Sequence, residues 1–480
     1  MIQKIEISDH IANYIKSCFG EDFFSKYYEY YKSPAGILYI RFSSLAGDPE
    51  ILENDLTKYG IRLKKIENIN GAYSVLSGED KIGKTLEYSF GRYYIQSLSS
   101  MIPPLVLNPK PGERVLDLCA APGSKSTQLA EMMKNSGTLI VNEPSNGRIK
   151  SLVFNIDKMN FTNTGIILGK GELLNPYFNE WFDKILVDAP CSALGIMHKK
   201  GEVNNWWTER HITGLSDLQL KLLIAGIKML KPGGELVYST CTLSIEENEA
   251  VINKAINKYP VELMDISLPV KSSNAFKRTE GVEFDESISK TRRIIPWEIN
   301  SEGFFVAKLR KTDSTGYPKK NSDKRAELRF TKPGDNKISG YLDILGGWFG
   351  IERNILNRYK YIIRNNDVYF INGDWEYSGK DIFLRAGSKF GSVDKRDFIR
   401  LHTLAAQILN EHITKNNVVL QDEDQLNIYL SGGIIKSDFG EFGQKAVVYK
   451  GSVIGMAVNT KEGLKSQYPR AFRTMQVIFE

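Results

Sequence analysis

Apolar and polar positions along the middle of the chain fall into alternating blocks. Short apolar runs at residues 114–118, 138–141, 165–168, 184–187 and 235–239 are separated by stretches with helical spacing that end near Lys134, span 146–159 and span 216–230. This alternation predicts an α/β core with a parallel sheet covered by helices on both faces. Ahead of it, residues 1–75 predict a small α/β unit. It has an amphipathic stretch at 23–31, a strand at 37–42 and a helix at 49–59 that Gly60 closes. Residues 76–110 lead into the core, which is taken as 76–310. A polar, basic stretch at 311–325, with Gly316, Pro318, Lys319 and Lys320, reads as a linker. Beyond it, 326–480 changes to aromatic-rich short runs, many glycines and apparent strands at 446–450 and 453–459, so one or two mostly β modules are expected.

Composition narrows the class. A chain of 480 residues is too long for one core. A net charge of +6 leans modestly towards polyanionic partners. Four cysteines without paired spacing argue against a disulfide framework and for a reducing compartment. Charges run through the first twenty residues and no apolar run reaches membrane-spanning length, so a cytoplasmic protein with no membrane contact is expected.

The chemistry concentrates at strand ends. Asp188-Ala-Pro-Cys191-Ser192 follows the apolar run Ile185-Leu186-Val187, and Cys241 ends the run 235–241. If those strands are neighbours, both thiols and the carboxylate face one pocket at the edge where open α/β sheets bind ligands. Ser244-Ile-Glu-Glu247 reads as a capping box, which predicts a helix beginning just past Cys241 and a thiolate stabilised by its N-terminus. Zinc is the competing use of cysteine, but there is no C-x-x-C, and His198 and His211 have no partner pattern, so no metal is expected. Cys18 reads as a small buried hydrophobe.

Val115-Leu-Asp-Leu-Cys119-Ala-Ala-Pro-Gly-Ser-Lys125 reads as strand, tight turn and helix. Ala120, Ala121 and Gly123 keep side chains out of the way of a closely approaching ligand. Glu143, at the end of the next strand, is placed to accept ribose hydroxyls. The loop has neither phosphate-cradle signature, so an adenosine without phosphates, as in S-adenosylmethionine, fits it better. Asp117 reads as a structural charge slightly ahead of one that shapes the loop, Lys125 caps the far side, and Arg148 shares a helix face with Asn155, a solvated charge by default and a cofactor contact as the alternative. A methyl donor, a thiolate, a second thiol and a carboxylate together suit methylation at C5 of a pyrimidine, where thiolate addition at C6 makes C5 nucleophilic. Asp188, near N3 and the exocyclic amine, favours cytosine.

With these residues in place the chain resembles the Nop2/Sun family of RNA cytosine-5 methyltransferases, nearest its bacterial rRNA branch with a C-terminal PUA-like module. The likeness runs from Gly91 to Leu309 through Gly91-Arg-Tyr-Tyr-Ile-Gln96, Asp117 to Lys125, Asn142-Glu143-Pro144, Asp188 to Ser192, Lys231 to Thr242, Glu247-Asn248-Glu249 and Glu302-Gly-Phe-Phe. It implies a Rossmann-like methyltransferase core, a ferredoxin-like RNA-binding unit before it and a PUA-like module after it. It implies Cys241 as nucleophile and Cys191 as the thiol that assists product release, with Asp188 and Lys125 beside them. Cofactor contacts carry over to Cys119, Ala120, Ala121, Pro122, Gly123, Ser124, Lys125, Glu143, Arg148 and Asp188. Gly169-Lys170-Gly171 lacks the Asp that relatives often use on the adenine amine. Arg41-Phe42-Ser43 stands for Arg-Val-Asn, and Pro296-Trp297 for Pro-His. The expected substrate is rRNA, with tRNA as the alternative, and the chain is expected to act as a monomer. An idle RNA-binding assembly factor and a methyltransferase of proteins or small molecules are the competing classes. His198-Lys199-Lys200, Arg292-Arg293 and Lys319-Lys320 are candidate phosphate contacts, and Trp206-Trp207 and Phe304-Phe305 candidate stacking pairs, with packing the alternative for each.

Overall fold

The computed structural model of the chain describes residues 7–33, 36–197, 207–279, 282–316, 324–473 and 477–478. At its centre is a sheet whose five parallel strands are Arg114–Asp117, Thr138–Glu143, Thr164–Leu168, Phe182–Asp188 and Leu230–Thr240. Two antiparallel strands, Arg292–Ile294 and Phe304–Lys311, extend it. Numbered by chain position, these seven lie in the order third, second, first, fourth, fifth, seventh, sixth. The order reverses between the first and fourth strands, which opens a crevice at their carboxyl ends.

Period-two alternation sends neighbouring residues to opposite faces, and both faces are apolar. Leu116, Ile185, Val187 and Tyr238 pack beneath the helices Glu209–Met229 and Glu249–Ile256. Val115, Leu186 and Val237 pack on the other face with Leu129, Leu152 and Ile156, from the helices Ser124–Met132 and Arg148–Lys158. Each fully buried Leu or Ile contributes about 1.5–3 kcal/mol, so this double layer is the main source of the core's stability. The stretch expected only to connect, 76–110, supplies the helix Leu98–Leu107, whose Met101 and Ile102 join the second layer.

The N-terminal sheet has the order Arg62–Lys65, Ala72–Ser77, Tyr39–Phe42, Tyr93–Ile95, all antiparallel. Its last strand lies beyond residue 75, so the unit reaches past the boundary expected from sequence. The aromatic run Arg92-Tyr-Tyr-Ile completes the sheet instead of linking it. Gly60 adopts a positive φ of 75° and closes the helix Pro49–Lys58, as expected. Arg41 leaves this sheet to bond Glu131 Oε2 and Thr127 Oγ1, each at 3.0 Å, and so ties the unit to the core through a buried ion pair.

Beyond residue 324 the chain forms a four-stranded and a five-stranded sheet among the described residues, together with helices such as Asn336–Phe349 and Glu423–Ser431. The expected strands at 446–450 and 453–459 are Gly443–Tyr449 and Ser452–Thr460. A short strand, Arg385–Ala386, pairs with Thr164–Leu168 at the edge of the core sheet. Arg385 bonds Asp157 at 2.8 Å, and Asp374 accepts from Ser136 and from the Gly137 backbone at 2.6 Å each. Among the described residues no helix is long and apolar enough to cross a membrane.

Candidate active site

Parallel pairing of the fourth and fifth core strands sets Asp188 opposite Ser239, so the chain that follows each strand emerges at one edge. Cys191 and Cys241 meet there with sulfurs 3.2 Å apart, and both are partly accessible. Asp188 accepts from Ser239 Oγ at 2.7 Å and forms an ion pair with Lys125 Nζ at 2.8 Å. Lys125 also donates to Ser100 Oγ at 3.0 Å and lies 5.1 Å from the centre of the Phe304 ring. The expected quartet, Cys241, Cys191, Asp188 and Lys125, is thus one cluster.

The hydrogen bond to Cys241 and desolvation push the Cys191 thiol well up, which favours its protonated form. Asp188 raises the Lys125 ammonium against the opposing desolvation, and the field of this cation reaches Cys241. The helix expected just past Cys241 starts instead at Glu249, with Asn248 as its N-cap and no side-chain cap bond. The capping box does not form, because Glu247 turns inward. It accepts from the Ser192 backbone N–H at 2.9 Å, from Ser192 Oγ and from Gln219 Nε2 at 2.8 Å. Ser192 Oγ and Thr242 Oγ1 lie 2.7 Å apart, and Gly195 N–H donates to Cys241 O at 3.0 Å. The loops carrying the thiols are therefore clamped to each other around a buried carboxylate, and Lys125 replaces the helix terminus as the charge beside Cys241.

The first core strand runs into Leu118-Cys119-Ala120-Ala121-Pro122-Gly123, with a cis bond before Pro122 and φ of 110° at Gly123. Ala120 N–H donates to Asn142 O at 2.8 Å, and Ser124 begins the helix that carries Lys125. Arg148 and Asn155 share a face as expected, and both grip this loop. Arg148 donates to Ala121 O at 2.5 Å and Asn155 Nδ2 to Pro122 O at 2.8 Å. Arg148 is thereby a structural partner of Glu143, 3.3 Å away, more than a solvated charge. Glu143 is buried and accepts from Ser145 N–H at 2.9 Å. Asp117 is buried; Ser126 Oγ donates to its Oδ2 at 2.7 Å, while its Oδ1 has no hydrogen-bond partner. Burial pushes its carboxyl up to about 7. Desolvation, with Asp117 and Asp188 nearby, pushes the Cys119 thiol up as well.

The RNA-facing expectations divide. His198-Lys199-Lys200, Lys319-Lys320 and Trp206 lie outside the described residues. Trp207 packs against Tyr14, 4.9 Å between ring centres, and Phe304 and Phe305 are buried in the sheet, so these three do not stack on a base. Arg293 is 1 % exposed and pairs with Glu249, while Arg292 donates to the Ser289 and Thr291 carbonyls, so this pair belongs to the fold. Pattern reading assigned Glu247 a capping role in place of its buried bonds, and it missed Gln219 and Ser100; the partners of the three are 25–55 residues away. It also passed over a G-x-x-x-x-G-K-T match at Gly78 to Thr85. There, Thr85 Oγ1 caps Tyr88 N–H and bonds Tyr93, and the helix that follows is four residues long, so the match makes no phosphate cradle.

The family model for 16S rRNA methyltransferase RsmB/F matches residues 104–310. The chain is 32% identical over 410 residues to ribosomal RNA small subunit methyltransferase F of Shewanella piezotolerans, covering 84% of this chain and 83% of that one. It is 37% identical over 273 residues to tRNA (cytosine(49)-C(5))-methyltransferase of Pyrococcus abyssi, covering 57% and 87%. A crystal structure of a methyltransferase homologue from Pyrococcus horikoshii superposes with a TM-score of 0.57 at 33% identity, covering 65% of this chain and 97% of that one. By the length and identity of these matches, the chain belongs to the RsmB/F family of RNA methyltransferases, within the Nop2/Sun group.

Proposed function

We propose that the protein is an S-adenosylmethionine-dependent RNA cytosine-5 methyltransferase that acts through a covalent bond between Cys241 and C6 of the target base. The observation that carries this reading is the pair of sulfurs 3.2 Å apart, beside the Lys125–Asp188 ion pair, at the carboxyl edge of the sheet. Small-subunit rRNA is the preferred substrate class, because the rRNA relative matches over 84% of the chain while the tRNA relative covers 57%.

The cofactor loop fits the donor. Its buried acceptors, Asp117 Oδ1 and Glu143, suit an ammonium and ribose hydroxyls, and such carboxylates disfavour a phosphate. Residues 119–125, Glu143, Arg148 and Asp188 would hold the cofactor. When bound, it supplies an electrophilic methyl group.

The chain's own residues do the rest. Cys241 adds as thiolate to C6 and gives C5 enamine character. Asp188, fixed by Ser239 and Lys125, meets the N3 and amine edge and selects cytosine. The adduct collapses when a base, solvent water in the opened site, takes the C5 proton and the C6–S bond breaks to release Cys241 as thiolate. Cys191, 3.2 Å from that sulfur, assists by donating a hydrogen bond to the departing thiolate. The target base must leave any helix to reach this edge, so loops of folded RNA are the expected sites. The same reading takes the N-terminal sheet as ferredoxin-like, supported by its strand order with the helix Pro49–Lys58 between the first two strands, and residues 326–480 as an RNA-binding region with a PUA-like module. It places the protein in the cytoplasm as a monomer.

Denaturing gels of each cysteine variant with RNA and cofactor test the roles. Cys191→Ala accumulates a covalent RNA adduct and Cys241→Ala forms none; the reverse pattern overturns the assignment, and absence of methyl transfer to RNA by the wild type favours an idle assembly factor.

A further inference from the structure

Two helices, Asp9–Phe19 and Glu21–Lys32, precede the N-terminal sheet and are joined at Gly20, which has a φ of 86°. The sheet has a core of its own, with Ile40 and Phe42 against Leu52 and Leu56. The two helices bury their apolar faces elsewhere. Ile11, Ile15 and Tyr27 share a cluster with Ala193, Leu194 and Leu243, and Cys241 packs against it. The helical hairpin therefore lies on the two loops that carry the thiols, and it bonds to each of them. Tyr27 Oη donates to Leu194 O at 2.9 Å, on the loop that begins with Cys191. Tyr14 Oη accepts from Ile245 N–H at 3.1 Å and donates to Glu246 Oε2, on the segment that follows Cys241.

The Cys191 loop depends on such support. Ala193 has a φ of 61°, in the left-handed region that a residue with a Cβ keeps only where its surroundings over-determine it. The N–H of the same residue is bonded to the Cys191 sulfur, so the form of this turn sets where that sulfur lies. Each neighbour of Ala193 is held from a different part of the chain: Ser192 N–H by Glu247, Leu194 O by Tyr27 and Gly195 N–H by Cys241 O. Tyr27 is fully buried, so its hydroxyl acts on the loop and does not touch RNA. We infer that the hairpin at residues 9–32 is a splint for the two thiols, with Tyr27 a positioning residue for Cys191 and Tyr14 one for Cys241. What the thiols do rests on the methyltransferase reading; where they are held does not. Without the Tyr27 hydroxyl the turn is free to leave its left-handed form and Cys191 moves off the departing sulfur, so the RNA adduct persists. Without the Tyr14 hydroxyl the segment past Cys241 loosens, so the adduct forms more slowly.

Tyr27→Phe and Tyr14→Phe in the full chain, each keeping its ring, test this against wild type in two assays, with rates taken per folded protein by circular dichroism. In the first, without RNA or cofactor, diamide takes two electrons and two protons from the thiols, joining them as a disulfide while its diazene becomes a hydrazine. Thiol titration follows the rate, and both variants should react about tenfold more slowly, part of the roughly hundredfold cost of a 1 Å misplacement. In the second, with saturating RNA and S-adenosylmethionine, denaturing gels give adduct and methylated product over time. Tyr27→Phe should slow adduct decay about tenfold and so raise the adduct fraction, and Tyr14→Phe should slow adduct formation about tenfold, both with RNA affinity within about twofold of wild type. A merely structural role lowers adduct and product together and never raises the adduct. Where the wild type forms adduct, wild-type rates for either variant in either assay, or losses that follow RNA affinity alone, overturn the inference. Were Tyr27→Phe not to fold, Tyr14→Phe, at a partly exposed position, decides alone. Slowed disulfide formation while no protein, wild type included, forms adduct would sink the methyltransferase reading and leave the splint standing.

Discussion

Replacing Glu247 with alanine separates the clamp from the chemistry, since Glu247 touches neither sulfur. The change removes the acceptor for the Ser192 backbone N–H at 2.9 Å and for Gln219 Nε2 at 2.8 Å, both in a buried site. Each stranded donor costs about 1–3 kcal/mol, so the expected loss of stability is roughly 2–6 kcal/mol. Glu247→Gln keeps an oxygen for both donors and should cost less than about 2 kcal/mol. The loops at 191–195 and 241–243 lose their common anchor, and a misplacement of about 1 Å between reacting groups costs roughly a hundredfold in rate. Urea denaturation with a fixed slope gives the stability difference, and the rate at which Cys241 forms its RNA adduct gives the second. An alanine variant within about 0.5 kcal/mol of wild type that still forms adduct at the wild-type rate would show that the clamp does not set the thiol geometry.

Three further outcomes follow from other parts of the molecule. Asp117 has a folded pKa of about 7, raised by burial above its unfolded value. Its contribution to stability is therefore complete at low pH and is lost as pH rises through about 7, by up to about 4 kcal/mol; Asp117→Asn should flatten the fall in unfolding free energy between pH 5 and pH 8. Arg41→Met leaves the Glu131 carboxyl, already pushed up to about 7 by burial, without the cation and donor that offset its desolvation, which should cost about 3–5 kcal/mol by chemical denaturation, while Arg41→Met with Glu131→Met recovers most of the loss. The 3.2 Å separation of Cys191 and Cys241 means that diamide should join them, consuming both thiols by thiol titration and abolishing adduct formation until a dithiol is added; Cys191→Ala should resist this inactivation.

Most of the core was readable because its signals are local. The run from Val115 to Lys125 has strand alternation, small residues and a helix in direct succession, and the folded loop has that form. That Cys191 and Cys241 come together follows from each ending an apolar strand, given a parallel register. What escaped depends on contacts between distant segments. Ser244 to Glu247 has the letters of a capping box, yet Ser192, 55 residues away, offers Glu247 a buried pair of donors that outcompetes it. Arg293 and Phe305 look like an RNA-facing surface until the antiparallel strands that carry them are placed inside the sheet. Nothing near Arg385 in the sequence announces that it will join the edge of a sheet whose adjoining strand lies more than two hundred residues earlier.

That short edge strand has a mechanical consequence. Because Arg385–Ala386 is hydrogen-bonded into the same sheet that positions Cys241, with Asp157 and Asp374 fastening its surroundings, the region past residue 324 is joined to the core by more than its linker. On the proposal that this region grips RNA, these contacts set the distance from grip to thiols, and inserting nucleotides between the gripped segment and the target cytosine should weaken methylation even where the sequence around the cytosine is unchanged.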